Sequence, residues 1–213
     1  MKNKTILCYI FAAGDYKHNS DIINFNNDNL IIAADAGFSH ALKCECIPNI
    51  IIGDFDSLEN IPNDIEKIPY PAKKDYTDTH LAIEYAYSKG YRNIYVLGAL
   101  GGERFDHSFS NIQSGSHFAN LGANITLTDG KTFIKFVRNS KISFDKSMSG
   151  YISIFSATDT SSGVNVKGLE YELEDYTLKN DFPLGVSNKF IGKPSEISVT
   201  DGTLIVILQY KKP

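Results

Sequence analysis

Short apolar runs alternate with amphipathic stretches over roughly the first 130 residues of the chain. Five runs predict strands, at residues 5–11, 29–34, 49–52, 93–97 and 124–128. Continuous apolar runs, rather than alternation of apolar and polar positions, are typical of strands buried on both faces of a parallel sheet. The pattern therefore predicts an α/β N-terminal domain with a mainly parallel sheet.

Helices are predicted between these strands. The clearest covers residues 78–88, where apolar side chains form a stripe along one face and Gly90 occupies the position of a C-terminal cap. A second helix is expected over residues 109–119. Alternation of strands and helices favours a sheet flanked by helices, with ligands at the carboxyl ends of the strands.

The pattern changes near residue 130, where strand-like segments begin to follow one another without helices. They are residues 132–137, 150–155, 163–167, 170–173, 196–199 and 203–209. Asp201-Gly202 lies between the last two and predicts a hairpin. We therefore expect two domains, an α/β domain over residues 1–130 and an all-β sandwich or barrel over residues 131–213.

Composition excludes some classes of function. The chain has 213 residues, a net charge of -4 and no block of Lys or Arg, so its charge gives no support for nucleic-acid binding. Its three cysteines cannot all pair with one another, and Cys44-Glu45-Cys46 has no second pair with which to bind zinc. Reduced thiols in a cytoplasmic protein are expected.

The N-terminus has a superficial likeness to a signal peptide, since Lys2 and Lys4 precede the apolar run of residues 5–13. A first buried strand ending in a glycine turn explains the same run, and we favour it. No apolar run approaches the length of a membrane-spanning helix. We expect no membrane partner.

Two carboxylates directly follow the apolar run Ile50-Ile51-Ile52-Gly53. Residues two apart in an extended chain project to the same side, so Asp54 and Asp56 would point together. Two like charges repel unless a cation lies between them, and carboxylate oxygens suit Mg²⁺. The alternative is an acidic turn in which both carboxylates accept backbone N–H groups.

The segment that opens the clearest helix offers a third carboxylate. It reads Lys-Lys-Asp-Tyr-Thr-Asp and ends at Asp78, which could join Asp54 and Asp56 around a metal. In the alternative interpretation, Asp75 or Thr77 is only the helix N-cap and Asp78 only complements the helix dipole.

A glycine-rich segment follows the strand predicted at residues 93–97. Glycines such as Gly101 and Gly102 let backbone N–H groups approach an anion, and Arg104 adds a charged donor suited to phosphate oxygens. The segment matches neither a Walker loop nor a dinucleotide-binding fingerprint. Asp35 also follows a predicted strand, within Ala-Asp-Ala-Gly, and by itself could be a simple turn.

Together these motifs resemble the thiamine pyrophosphokinase family. The resemblance lies in Ala-Asp-x-Gly at Asp35, Gly-Asp-Phe-Asp-Ser from Gly53, Lys-Asp-x-Thr-Asp from Lys74, Arg-x-Asp-His from Arg104, and Gly-Val-Ser-Asn from Gly185. The order and rough spacing match, and the resemblance covers nearly the whole chain. It implies an enzyme that transfers the pyrophosphoryl group of ATP to the hydroxyl of thiamine, giving thiamine diphosphate and AMP.

The resemblance also implies roles for individual residues. Asp54, Asp56 and Asp78 would bind Mg²⁺ with Asp75 close by, and Asp35 would help to position the nucleotide. Gly101, Gly102 and Arg104 would contact phosphates. Asp106 would lie near thiamine and the reacting end. Ser187 and Asn188 would contact thiamine.

A homodimer with thiamine in a cleft between subunits is implied as well. The chain departs from the family at Glu103, which separates Gly102 from Arg104 where the usual form is Gly-Gly-Arg. This departure affects the expected backbone contacts with phosphate more than the role of Arg104.

Two alternatives remain at this point. Asp-x-Asp after a strand is also similar to the haloacid-dehalogenase phosphatases, in which the first aspartate, here Asp54, would be phosphorylated. The other is a regulatory module that binds a nucleotide or thiamine without turnover. The products distinguish the three interpretations. A pyrophosphokinase releases AMP, a phosphatase releases free phosphate, and a regulatory module releases neither.

Overall fold

The computed structural model describes residues 6–17, 29–55, 62–71, 73 and 75–209. Asp56 lies outside them. The chain divides into two compact units. The first comprises the described residues up to Phe118 together with Ala123–Gly130, and the second comprises Ala119–Gly122 and the described residues from Lys131 onwards.

The first unit contains one parallel sheet. Every pairing between neighbouring strands is parallel, in the order β6-β5-β1-β2-β3-β4. The strands are β1 (Leu7–Phe11), β2 (Leu30–Ala34), β3 (Ile50–Gly53), β4 (Glu66–Pro69), β5 (Asn93–Leu97) and β6 (Asn124–Thr128).

Burial explains why these apolar runs form the middle of the sheet. Ile10, Phe11, Ile32, Ile51 and Ile52 are fully buried. A run that is apolar at every position can occupy a strand covered on both faces, and helices supply that cover. The parallel sheet expected from the sequence is therefore present.

Three α-helices accompany the sheet within the described residues: α1 (Phe38–Lys43), α2 (Asp78–Ser88) and α3 (Phe105–Asn120). α1 packs against β1 and β2, while α2 packs against β1, β2 and β3. The predicted bounds of α2 are confirmed. The prediction for α3 was wrong at its start, because the helix begins at Phe105 rather than at Phe109.

The second unit is all-β and contains two antiparallel sheets, with strand orders β12-β9-β14-β7 and β11-β10-β13-β8. The strands are β7 (Thr132–Arg138), β8 (Lys141–Phe144), β9 (Tyr151–Ser156), β10 (Thr160–Lys167), β11 (Leu173–Lys179), β12 (Gly185–Lys189), β13 (Ser195–Ser198) and β14 (Thr203–Gln209).

The predicted hairpin at Asp201-Gly202 was wrong. β13 pairs with β10 and β8, whereas β14 pairs with β7 and β9 in the other sheet. The chain therefore changes sheet at this turn instead of folding back on itself. The strand expected at residues 170–173 was also wrong, because β11 starts at Leu173 and continues to Lys179.

No helix in the described part of the chain is both long and apolar enough to span a membrane.

Candidate active site

The first unit has a cavity of about 660 Å³ at the carboxyl edge of its sheet. Its walls come from the ends of β1, β2 and β5 and from the first turns of α2 and α3. Loops that leave the carboxyl ends of parallel strands meet at one edge of a sheet, so residues distant in sequence converge there. The cavity therefore has the position expected for a ligand site in an α/β fold.

Six of the residues predicted from sequence line this cavity. They are Asp35, Asp75, Asp78, Gly101, Gly102 and Arg104. Asp54 follows β3 at the same edge and is half-buried, but it is not part of the lining. Asp106 is exposed on the first turn of α3, and Ser187 and Asn188 belong to the second unit.

Asp35 occupies an unusual backbone conformation at the end of β2. Its φ is +45°, a value that residues other than glycine seldom adopt and that costs on the order of 1 kcal/mol. A Cβ on Gly53 would lie 3.3 Å from the Cβ of Asp35, so the ends of β2 and β3 are in close contact. The backbone of Asp54 therefore starts beside Asp35.

Thr77 is the N-cap of α2, one of the two caps that the sequence allowed for this helix. Its extended backbone, with φ -72° and ψ 155°, lets the side-chain oxygen accept a hydrogen bond from the N–H of His80 at 3.2 Å. The capping role thus belongs to Thr77, while Asp75 and Asp78 on either side line the cavity.

The glycine-rich loop at residues 98–102 is tied to the loop after β1. The N–H of Gly14 donates to the carbonyl of Gly98 and the N–H of Asp15 to that of Leu100, both at 2.8 Å. A side chain at Gly14 would meet these two carbonyls at 2.6 and 2.7 Å, so the close approach requires glycine there.

Two consecutive glycines of this loop have backbone N–H groups that are free within the described part of the chain. Gly101 and Gly102 have φ values of +74° and +80°, which only glycine adopts readily. Among the described residues, the N–H groups of Gly101 and Gly102 have no hydrogen-bond partner. These two free N–H groups are available to donate to an anion.

Arg104, which lines the cavity, forms an ion pair with Asp106. One guanidinium N–H donates to Asp106 Oδ2 at 2.7 Å, and each side chain is 66% exposed. The hydrogen bond from Arg104 holds the pKa of Asp106 below its ordinary value. Arg104 therefore already binds one carboxylate, and a guanidinium binds phosphate oxygens through the same kind of charge-assisted hydrogen bond.

The second unit has a smaller, mostly apolar cavity of about 250 Å³ between its two sheets, lined by Ile154, Val166, Ile197 and others. Asn188 also lines it, but its amide is bound to the backbone of Tyr171, donating to the carbonyl at 2.6 Å and accepting from the N–H at 3.0 Å. Ser187 is exposed, with φ +62°. Both residues lie in strand β12 and not in a turn.

Two family models match the chain. Thiamin pyrophosphokinase, catalytic domain, matches residues 24–127, and Thiamin pyrophosphokinase, vitamin B1 binding domain, matches residues 139–204. Together they cover well over half of the 213 residues. The chain belongs to the thiamine pyrophosphokinase family.

Individual relatives agree with this family assignment. Thiamine pyrophosphokinase of Bacillus subtilis (strain 168) is 29% identical over 206 residues, which span 93% of this chain and 96% of the relative.

Solved structures share the fold. A crystal structure of thiamine pyrophosphokinase from Bacillus subtilis superposes with a TM-score of 0.84 at 24% identity, covering 96% of this chain and 99% of that one. Thiamin pyrophosphokinase from Candida albicans gives a TM-score of 0.73 at 17% identity, covering 95% and 88%.

The metal site predicted from the sequence comprises Asp54, Asp56 and Asp78. Within the residues that the structure describes, no three His, Cys, Asp or Glu side chains lie close enough together to hold a metal ion. Asp56, one of the predicted ligands, lies outside these residues. The metal set expected from the resemblance to thiamine pyrophosphokinases therefore stays a prediction.

Two buried polar residues that border the cavity were not predicted from the sequence. Ser108 and Asn111 lie on the inner face of α3 and border the cavity. Starting α3 at Phe109 left Ser108 outside the helix. With the observed start at Phe105, the two are one turn apart on one face, and this spacing is the signal that could have found them.

Proposed function

We propose that this protein transfers the pyrophosphoryl group of ATP to the hydroxyl of thiamine, forming thiamine diphosphate and AMP. The observation that carries the proposal is the cavity of the first unit. It brings Asp35, Asp75 and Asp78 together with Arg104 and with the free N–H groups of the glycine loop. Carboxylates for a cation and donors for an anion are what the triphosphate of a metal nucleotide requires.

Asp54, Asp56 and Asp78 are the proposed Mg²⁺ ligands. Their carboxylate oxygens are of the type that Mg²⁺ prefers, and Asp54 and Asp78 both lie at the carboxyl edge of the sheet. When bound, the ion neutralises charge on the phosphate oxygens and orients them. Asp75, exposed beside α2, adds negative charge on the same side of the cavity.

Arg104 and the loop carry the phosphate-binding part of the proposal. The guanidinium exchanges the carboxylate of Asp106 for phosphate oxygens, and the N–H groups of Gly101 and Gly102 donate to the same group. Asp106, once released, contacts thiamine near its reacting end. Asp35, in its constrained conformation at the end of β2, contacts the nucleotide.

We assign residues 1–130 to ATP and Mg²⁺ and residues 131–213 to thiamine, the latter folded as a β-sandwich. Ser187 and Asn188 are the proposed thiamine residues of the second domain. Because the amide of Asn188 is bound to Tyr171, Ser187 is the freer of the two to contact a ligand. The functional unit is a homodimer in the cytoplasm, where the three free thiols Cys8, Cys44 and Cys46 stay reduced.

The decisive experiment measures both products. Purified protein is incubated with ATP, Mg²⁺ and thiamine, and AMP and thiamine diphosphate are quantified by chromatography. Equimolar formation of the two supports the proposal. Free phosphate without AMP indicates a phosphatase instead, and saturable binding of ATP without any product indicates a regulatory module.

Asp54→Asn tests the metal assignment. The amide keeps the size of the side chain but removes the charge, so turnover should fall about a hundredfold or more while the protein stays folded. Asp64→Asn is the matched control, because Asp64 is exposed and does not line the cavity. A near wild-type rate for Asp54→Asn would contradict the assignment.

A further inference from the structure

Four consecutive carbonyls of the glycine loop each accept a hydrogen bond from elsewhere in the first unit. Those of Gly98 and Leu100 are bound by backbone N–H groups of the loop after β1. Those of Ala99 and Gly101 are bound by side chains instead. The loop is therefore held on one side by backbone and on the other by side chains.

The two side chains come from α3. Asn111 Nδ2 donates to the carbonyl of Ala99 at 2.8 Å, and Ser108 Oγ donates to that of Gly101 at 3.3 Å. Both residues are buried, with 5% and 7% exposure, and both border the cavity. Residues three apart on a helix lie on one face, so a single face of α3 reaches two points of the loop.

Peptide planarity links these bonds to the free N–H groups. The carbonyl of one residue and the N–H of the next belong to one planar trans unit and point in opposite directions. The hydrogen bond from Ser108 to the carbonyl of Gly101 therefore also fixes the direction of the Gly102 N–H. Likewise, the bond from Asp15 to the carbonyl of Leu100 fixes the Gly101 N–H.

Glycine makes this control necessary. With φ near +74° and +80°, Gly101 and Gly102 lie in a region where glycine has wide conformational freedom, and an unrestrained peptide there could turn its carbonyl toward the cavity. A carbonyl facing the triphosphate would repel it. The donor of Ser108 holds the Gly101 carbonyl away from that position.

We propose that Ser108 and Asn111 are positioning residues for ATP, which hold the glycine loop so that its N–H groups face the phosphates. This inference rests on the proposed function. Asn111 anchors the start of the loop at Ala99, and Ser108 sets the peptide between Gly101 and Gly102. Neither residue needs to touch the reacting atoms, and the effect of each on ATP passes through the loop.

Kinetics and binding test the proposal with Ser108→Ala and Asn111→Ala. Each should raise the KM for ATP and the Kd for Mg-ATP about five- to tenfold, while the KM for thiamine stays near the wild-type value. Ser108→Thr, which keeps the hydroxyl, should restore most of the affinity. Gln113→Ala is the control, because Gln113 is exposed on the same helix and does not border the cavity.

Equal losses of affinity for ATP and thiamine, or no loss in either folded variant, would overturn the proposal. Thermal unfolding of each variant establishes that it is folded. Should Asn111→Ala fail to fold, the milder Ser108→Ala still decides the matter.

Nuclear magnetic resonance of the ligand-free protein separates this inference from the proposed function. Ser108→Ala should shift or broaden the Gly102 amide signal more than Gln113→Ala does, whether or not the enzyme turns over thiamine. An unchanged Gly102 signal refutes the role of Ser108. Absence of AMP formation by the wild-type enzyme, with the amide effect present, refutes only the proposed function.

Discussion

Thr77 shows how one side chain fixes the position of a neighbouring functional group. By capping α2, it sets the residue at which the helix starts, and so the direction in which the Asp78 carboxylate leaves the first turn. An uncapped helix frays at its first turn, where its N–H groups lack partners. The cap therefore contributes both to stability and to the order of the cavity wall.

Removing this cap has a measurable cost. Thr77→Ala should lower the free energy of unfolding by about 1 kcal/mol, because the His80 N–H loses its acceptor. Thr77→Ser keeps an oxygen at the same place and should lose little. Urea denaturation of the three proteins measures the difference, and equal stabilities of Ala and Ser variants would contradict the capping role.

Gly101 combines a conformational and a steric requirement, and Gly122 allows the two to be separated. Both have positive φ, +74° and +89°. A Cβ at Gly101 would overlap the carboxylate of Asp15, whereas a Cβ at Gly122 would meet nothing within 4 Å. The two glycines differ mainly in their surroundings.

Alanine at each position should therefore have different effects. Gly122→Ala should cost about 1 kcal/mol of stability through backbone strain alone, with no loss of activity. Gly101→Ala should cost more and also weaken ATP binding, since the loop must move away from Asp15. Denaturation and steady-state kinetics measure both effects. Indistinguishable variants would show that the contact with Asp15 is unimportant.

At the scale of elements, α1 and the strands beside it bury a small group of thiols and aromatic rings. Cys46 packs with Tyr9, Phe11, Ala41 and others, and Cys44 lies half-buried against this cluster. Burial raises the pKa of Cys46 to about 11 and raises those of Cys8 and Cys44 as well. Thiolate is the reactive form, so all three should react slowly.

Alkylation tests this prediction. At pH 8, below the raised pKa values, iodoacetamide should modify the native protein slowly and at Cys44 first, because it is the most accessible of the three. After denaturation all three should react quickly. Peptide mass spectrometry locates the labels, and rapid native labelling of Cys8 or Cys46 would contradict the buried arrangement.

Elements with a strong local pattern could be predicted from sequence. β5, β6 and α2 have the expected bounds because their apolar residues follow the strand or helix pattern throughout. β4 was missed since Glu66, Lys67 and Pro69 make an exposed edge strand without an apolar run. α3 was started too late because Phe105, 80% exposed, does not fit an amphipathic helix.

Residues of the candidate site could likewise be predicted only where they belong to a local sequence motif. Asp35, Asp75, Asp78 and Arg104 stand beside strand ends or helix starts and could be found from local motifs. The roles of Ser108 and Asn111 depend on which loop α3 faces, and that is decided by tertiary packing. The hairpin prediction failed for a similar reason, because Asp201-Gly202 describes a turn but not the partners of the strands that it joins.

At the scale of the whole molecule, the second unit exposes several large apolar side chains. Tyr171, Phe182, Val186 and Ile191 are 63%, 61%, 47% and 45% exposed. Contact with a second copy of the chain would remove such side chains from water, so they are the positions at which the proposed homodimer can be tested.

The proposed dimer should have twice the 23.6 kDa mass of one chain in light scattering after gel filtration. Phe182→Glu should shift the protein toward the monomer, because a charge cannot be buried unpaired in an apolar interface. Glu84→Lys, at an exposed position of α2, should have no effect. A monomeric wild-type protein at micromolar concentration would contradict the proposed assembly.

β14 lies between β7 and β9 and is hydrogen-bonded to both, although it follows them in the chain. During synthesis β7 and β9 are therefore made well before the strand that joins them. Until then each presents an unpaired apolar edge, the kind of surface at which nascent chains associate wrongly. Substitutions that weaken β14 should thus reduce the yield of soluble protein during expression more strongly than they reduce the stability of the protein once folded.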